Sequence, residues 1–483
     1  MSGHLYSPDE EIMFRTSESI AQVKGFVIDP IQEGGDRFTD VGKEGKFFGH
    51  YGLGQPLLAV PFYWAGNLLN ALNIQLIPYG LRSNTISYYD RSLENDIHRF
   101  TVSRFQQVLT ALACVLLFQF GLMLGYSRKS SFLLALIYGT ATMAFPFAKT
   151  FYSEPTTTLL LLGSFMCLYK FKLTNNLHYL SASGALLGYS LLTRVDSIIL
   201  IPIFLIYLIY LEGTERLRPA PLQVLCKRVF YWGIPLAVFA FLVGLYNYVR
   251  FGSFTHTGYE SEGLTFSYPF LDGFYGLLMS SGKSIFIFSP PILLFFPAIK
   301  KFWNEHRPEA LFCSGLALSY ILFYSKWESW AGGWTWGPRH VFQIHLFLLI
   351  PVLALFEKHL ASKNKAFWIS VGALFALGIF VQIPGVLVSF MDYNYRFQFD
   401  NPLFYTLYIP VHSAVAGQWQ YMVPGFIDLF FYQLFLNGQS LWARMAFLIP
   451  LLVTIICGVL SFRQIIKGER ASNPVQPAPR ETE

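Results

Sequence analysis

About eleven blocks of roughly 17–24 mostly apolar residues recur along this 483-residue chain. Each is long enough to cross a hydrocarbon layer ~30 Å thick as a helix rising about 1.5 Å per residue. The rest of the composition follows from that pattern. Hydrophobic residues make up 53% and charged residues only 13%, with a mean hydropathy of +0.42, whereas a soluble domain carries about a quarter charged residues. Aromatics reach 18%, with Tyr and Trp frequent at block edges, where amphipathic rings favour the headgroup region. The net charge of +6 reads as membrane orientation. No basic, aromatic-interleaved patch is present, which excludes a nucleic-acid binder. The expected fold is an all-α, polytopic transmembrane helical bundle.

The spans are expected near 102–125, 131–147, 155–171, 177–193, 197–211, 229–248, 284–300, 309–325, 340–356, 367–390 and 441–462. Lysine and arginine in the connections set their direction. If the first span runs inward, every cytoplasmic link is basic: Arg128/Lys129, Lys170/Lys172, Arg216 to Arg228, Lys300/Lys301/Arg307, Lys358 to Lys365, and the tail with Arg463. Residues 1–101 then form an extracytoplasmic first loop with a membrane-surface helix near 55–72, and 102–390 form the transmembrane core with outer loops 249–283 and 326–339. Residues 391–440 are a further extracytoplasmic loop, 441–462 the last span, and 463–483 a disordered cytoplasmic tail. The expected location is the cell membrane, multi-pass, with the C-terminus cytoplasmic. Cys114, Cys167, Cys226, Cys313 and Cys457 have neither CxxC nor zinc spacing and read as small buried hydrophobes. No ligand cluster argues for a metal, and none of the patterns calls for a cofactor.

In this orientation the outer face collects acids, bases and aromatics. The N-terminal stretch carries Asp9, Glu10 and Glu11, and the 148–154 link carries Lys149, Tyr152, Ser153 and Glu154. A short turn carries Arg194 and Asp196, and the next loop Arg250, His256, Tyr259 and Lys283. The stretch from Lys326 reads KWESWAGGWTWGPR and ends at Arg339, with His340 after it. Each has a plainer reading. Glu154 before Pro155 suits the positive end of a helix dipole, and Arg194 with Asp196 forms a structural ion pair. The tryptophans around Trp334 and Trp336 form an interfacial belt, and Asp9 and Glu10 belong to a solvated charge run. It is the gathering on one face that favours chemistry.

The strings PDEEIMF (8–14), GHYGLGQPLLAVPFYWAG (49–66), FYSEP (151–155), LLTRVDS (191–197), YNYVRFGSFTHTGY (246–259), GLLMSSGKSIFIFSPP (276–291) and WAGGWTWGPRH (330–340) carry a resemblance. The chain resembles the GT-C glycosyltransferases, in particular the bacterial relatives of protein O-mannosyltransferases and of the aminoarabinose and Rgt-type lipopolysaccharide transferases. The likeness runs from residue 8 to about 340. It implies a GT-C-type bundle whose partners are a polyprenyl-phosphate sugar donor, membrane lipid and an extracytoplasmic acceptor (lipid, glycan or protein), with transfer usually inverting the anomeric carbon. By the same resemblance the catalytic carboxylates are Asp9, Glu10 and Glu154, with Asp9 the leading base. The leaving phosphate needs cationic donors, and Arg339, Lys283 and Arg250 are the candidates in that order. Tyr152, Tyr259, Trp334, Trp336 and His340 would line the sugar and acceptor pocket.

Two other readings stand beside this one. A transporter or flippase of lipid-linked sugars would show paired hydropathy repeats and ionisable residues at mid-membrane, and neither is evident. A non-catalytic GT-C-like scaffold would tolerate amides at the acidic positions. The resemblance also leads to the expectation that a first transmembrane helix lies upstream of Met1, because the family's acidic loop follows one.

Overall fold

The computed structural model describes residues 3–31, 38–72, 97–211 and 221–430, with short stretches at 432, 452–453, 456–460 and 463–464. The expected last span and tail lie largely outside the described residues. Among the described residues the chain is predominantly helical, with two three-residue antiparallel strands, Thr39–Val41 and Phe47–Gly49.

Helix Pro8–Ala21 starts where Ser7 caps the Glu10 amide and Pro8 occupies the first turn, a position that needs no donor. Three acids follow in that turn, which the helix dipole favours. Glu11 is fully buried and takes Arg99 at 2.5 Å and Arg15 at 2.8 Å, pinning this helix to helix Ile97–Val102. Helix Gly54–Ala71, with Pro61 inside it, completes this N-terminal layer.

The bundle positions the functional groups through hairpins. Helix Glu154–Thr174 ends at Asn175 in the left-handed conformation, and Asn176 at once caps helix Leu177–Thr193 by accepting from the His178 amide. The two helices are therefore antiparallel, and Arg194 at the end of the second returns to Glu154 at the start of the first. Helix Leu222–Phe251 runs alongside Leu177–Thr193 in the same direction. A Cβ on Gly184 would stand 1.9 Å from the Trp232 carbonyl, and one on Gly188 2.7 Å from Phe239. Such small residues let apolar helices approach closely. Helix Arg307–Tyr324 also ends at this pole. Arg194, Arg250 and Tyr324 thus terminate three helices at the end of the bundle where Glu154 begins one.

Four helices among the described residues are long and apolar enough to cross a membrane: Ile97–Met123, Leu222–Phe251, Ile344–Ser362 and Lys365–Leu387. Other expected spans are helical but shorter, more polar or broken. The stretch expected at 284–300 is split into Ile285–Phe288, a 3-10 turn Pro290–Leu294 and Phe295–Glu305, because Pro290 and Pro291 cannot continue an α-helix. The cysteines depart from expectation too. All are free, but only Cys313 is buried, and Cys226 and Cys457 are exposed on apolar helices.

Candidate active site

Asp9 sits one residue inside the capped N-terminus of its helix, where its side chain faces the loop that follows helix Arg307–Tyr324. There Arg339 Nη1 donates to Asp9 Oδ2 at 2.6 Å. Burial pushes the Asp9 carboxyl up, but the Arg339 guanidinium, the Tyr51 hydroxyl and the nearby His50 outweigh it and hold it below its ordinary value. The Arg339 guanidinium also lies 5.2 Å from the Tyr152 ring centroid, in cation–π range.

Glu10, the next residue, turns about 100° around the helix and faces the interior instead. Its Oε2 accepts from the Tyr6 amide at 3.1 Å, and Oε1 has no partner among the described residues. Burial above all, with the Asp9 charge adding to it, pushes this carboxyl up to about 8. It therefore keeps its proton at neutral pH and does not line the cavity described below.

A second cluster surrounds Glu154, which is 1% exposed. Arg194 Nη1 donates to Glu154 Oε1 at 2.6 Å and its Nη2 reaches Asp196 at 3.1 Å. Arg194 and Asp196 are thus ion-paired, and the same arginine also fixes Glu154. Arg194 Nη2 meets the Tyr324 hydroxyl at 3.2 Å, and that hydroxyl donates to Asp196. The Tyr324 ring lies parallel to His340, with centroids 4.7 Å apart. Tyr51 and Tyr324, contributors of two of these contacts, were not among the residues singled out from the sequence.

Asp9, Glu154, Arg194, Asp196, Arg339 and His340 line one cavity of about 790 Å³ at this end of the bundle, and Tyr152, Tyr259, Trp334 and Arg250 complete its wall. Arg250 is 2% exposed and already engaged. It donates to the Gly49 carbonyl and to Asn247 Oδ1 at 2.7 Å, and stacks on Tyr246 at 3.7 Å. Its place in the wall is as a tie between the N-terminal layer and helix Leu222–Phe251.

Two expected site residues are placed elsewhere. In the loop WAGGWTWGPR, Gly333 and Gly337 take φ of 70° and 66°, which a side chain would strain. A Cβ on Gly337 would also stand 2.8 Å from Phe288. The resulting path points the carbonyls of Gly333, Thr335 and Gly337 at Lys283 Nζ, at 2.9, 2.9 and 3.0 Å. An ammonium has three protons, and Lys283 has given all three to this loop. It is not among the residues lining the cavity, and in this structure it acts as a staple for the loop. Trp336 is fully buried behind the loop, with Nε1 donating to Gln382 Oε1 at 2.9 Å and its ring edge-on to Phe288. It is core, not pocket wall.

Among the described residues no group of three or more His, Cys, Asp or Glu side chains stands close enough to share a metal ion. What the cavity offers is a carboxylate (Asp9) paired with a cation (Arg339), a second carboxylate (Glu154) held by Arg194, and aromatic walls.

No protein-family model matches the chain, and no curated protein matches it. Among solved structures, it is similar to the Archaeoglobus fulgidus oligosaccharyltransferase in its apo form, with a TM-score of 0.46 and 13% identity over 78% of this chain and 51% of that one. It is also similar to ArnT from Cupriavidus metallidurans bound to undecaprenyl phosphate, with a TM-score of 0.41 and 14% identity over 96% of this chain and 70% of that one. The chain spans about half the length of the oligosaccharyltransferase.

Proposed function

We propose that this protein is a GT-C-type glycosyltransferase that moves a sugar from a polyprenyl-phosphate donor to an extracytoplasmic acceptor, with inversion. The observation that carries the reading is the convergence of Asp9, Glu154 and Arg339 on one cavity, from parts of the chain far apart in sequence. Inverting transfer needs a base on one side of the anomeric carbon and charge stabilisation of the leaving phosphate.

Asp9 is the base. The acceptor oxygen attacks the anomeric carbon, its proton passes to Asp9, and the bond from that carbon to the phosphate oxygen breaks with its electron pair leaving on the phosphate. Arg339 takes the developing phosphate charge, and its planar fork suits phosphate oxygens. The resting pair at 2.6 Å gives the site an internal gate. While Arg339 is held by Asp9 the carboxylate is a weak base, and a phosphate that draws Arg339 away raises its basicity at the moment the donor is in place. Glu154, fixed by Arg194, orients substrate, and Lys283 shapes the aromatic loop. In this reading about eleven spans cross the membrane, the site faces outward, and the C-terminus is cytoplasmic.

The test is to incubate the purified protein with a panel of polyprenyl-phosphate sugars and several classes of acceptor, and to measure free polyprenyl phosphate and glycosylated product. Stoichiometric appearance of both supports the reading. Movement of intact donor across a proteoliposome membrane, with no release, supports a transporter instead.

A further inference from the structure

Asp428 is 3% exposed and lies far beyond residue 340, where the resemblance ends. It is bonded to the first residues of the chain. The Tyr6 hydroxyl donates to Asp428 Oδ2 at 2.5 Å, and His4 Nε2 lies 2.8 Å from Oδ1. The other ring nitrogen of His4 meets the Leu5 carbonyl at 2.9 Å, so a doubly protonated ring satisfies both contacts. Burial pushes the Asp428 carboxyl up, but the His4 and Lys149 charges and the Tyr6 hydroxyl outweigh it and hold it below its ordinary value. Asp428 is therefore an ionised carboxylate with a donor on each oxygen.

The carboxylate is itself held in place. The Asp428 amide donates to the Leu387 carbonyl at 2.7 Å, and Ile427 pairs with Val388 in an isolated antiparallel bridge. Lys149, 1% exposed, donates to the carbonyls of Val386 and Val388 at 3.2 and 2.7 Å, and its ammonium stands 4.7 Å from the Tyr6 ring centroid. The Tyr6 ring also stacks on Phe390, with centroids 5.5 Å apart. From Tyr6 the restraint passes into the first helix. The Tyr6 amide donates to Glu10 Oε2 at 3.1 Å, and the next residue, Ser7, is the helix cap. Asp9 follows two residues after that cap.

Chain ends fray unless tied down, and a buried charge cluster adds little net stability that apolar packing would not supply. What donors on both carboxylate oxygens do supply is direction. A general base depends on direction, because a misplacement of about 1 Å can cost on the order of a hundredfold in rate. We propose that Asp428 is a positioning residue for transfer: through His4 and Tyr6 it sets the first turn of helix Pro8–Ala21 so that Asp9 meets Arg339 at the cavity. This rests on the reading of Asp9 as the base of a glycosyltransferase.

The experiment uses the purified full-length protein and a polyprenyl-phosphate sugar that the wild type turns over. Asp428→Asn removes the charge, and Tyr6→Phe removes one hydroxyl while keeping the ring against Phe390. Melting temperature, kcat, KM for donor and the pH profile of kcat/KM are measured for each. Both variants are expected to lower kcat about tenfold or more, with KM for donor changed less than about twofold. The acidic limb of kcat/KM reports the base in the free enzyme. Burial pushes Asp9 up and Arg339 holds it down, so a loosened pair is expected to move that limb to higher pH. A protein that is merely less folded loses rate without moving the limb. A lower kcat with an unmoved limb therefore overturns the positioning role and leaves Asp428 a structural tie. Wild-type kcat in either folded variant overturns it too. If Asp428→Asn does not fold, Tyr6→Phe decides, and a Tyr6→Phe protein that does not fold also overturns the role. A wild type that releases no polyprenyl phosphate from any donor overturns the enzyme reading itself, and the role of Asp428 with it.

Discussion

Arg339 Nη1 and Asp9 Oδ2 meet at 2.6 Å although 330 residues separate them in the chain. The pair joins the first helix to the loop after helix Arg307–Tyr324, and it couples the proposed base to the proposed phosphate contact. A lysine at 339 keeps the charge but loses the planar fork. Arg339→Lys is expected to lower the transfer rate more than roughly tenfold, about 1.4 kcal/mol of barrier, and Arg339→Ala to lower it further. Normal donor binding and turnover in both variants would remove Arg339 from the phosphate.

Lys283 separates two roles cleanly. As a staple its ammonium satisfies the carbonyls of Gly333, Thr335 and Gly337, and removing it strands those acceptors in the interior. Lys283→Met is expected to lower stability by about 2 kcal/mol or more, measured as thermal unfolding in detergent. A variant with an unchanged melting temperature and a raised KM for donor would return Lys283 to the phosphate site.

Glu10 predicts a pH dependence of stability. Its carboxyl keeps a proton in the folded protein up to about 8, while the unfolded chain loses it near 4.5. Between those values the folded state binds more protons, so stability falls as pH rises from about 5 to about 8. Glu10→Gln mimics the protonated carboxyl and is expected to flatten that slope. Parallel melting curves for wild type and variant across this range would show that Glu10 is ionised in the folded state.

How much of this was legible in the sequence differs residue by residue. Glu154, Arg194 and Arg250 stand at the ends of apolar blocks, so counting spans already places them at one pole. Asp9 and Glu10 are adjacent, and only the register of helix Pro8–Ala21 decides which faces the cavity. Lys283 and Trp336 have the residue types expected of a lipid-phosphate sugar site, but their direction depends on the loop path set by Gly333 and Gly337, which spacing does not encode. Tyr51 and Tyr324 are two of 28 tyrosines, and nothing local marks them. The break inside the stretch at 284–300 was not legible because an apolar window hides Pro290 and Pro291.

Sidedness has its own check. In a cysteine-free background, a cysteine replacing Ser329 is expected to react with an impermeant thiol reagent from outside intact cells, and one replacing Ser362 only after permeabilisation. Reversed labelling would put the cavity in the cytoplasm.

The most direct measurement compares release of polyprenyl phosphate from a lipid-linked sugar by wild type and by Asp9→Asn. The amide keeps the shape of the carboxylate but leaves the Arg339 charge without its partner, which costs stability, so the melting temperature of the variant is measured alongside to separate loss of the base from loss of the fold. Wild type should release polyprenyl phosphate in step with glycosylated product, and Asp9→Asn should release none above the uncatalysed background. Equal rates for the two proteins would contradict Asp9 as the base and the account built on it.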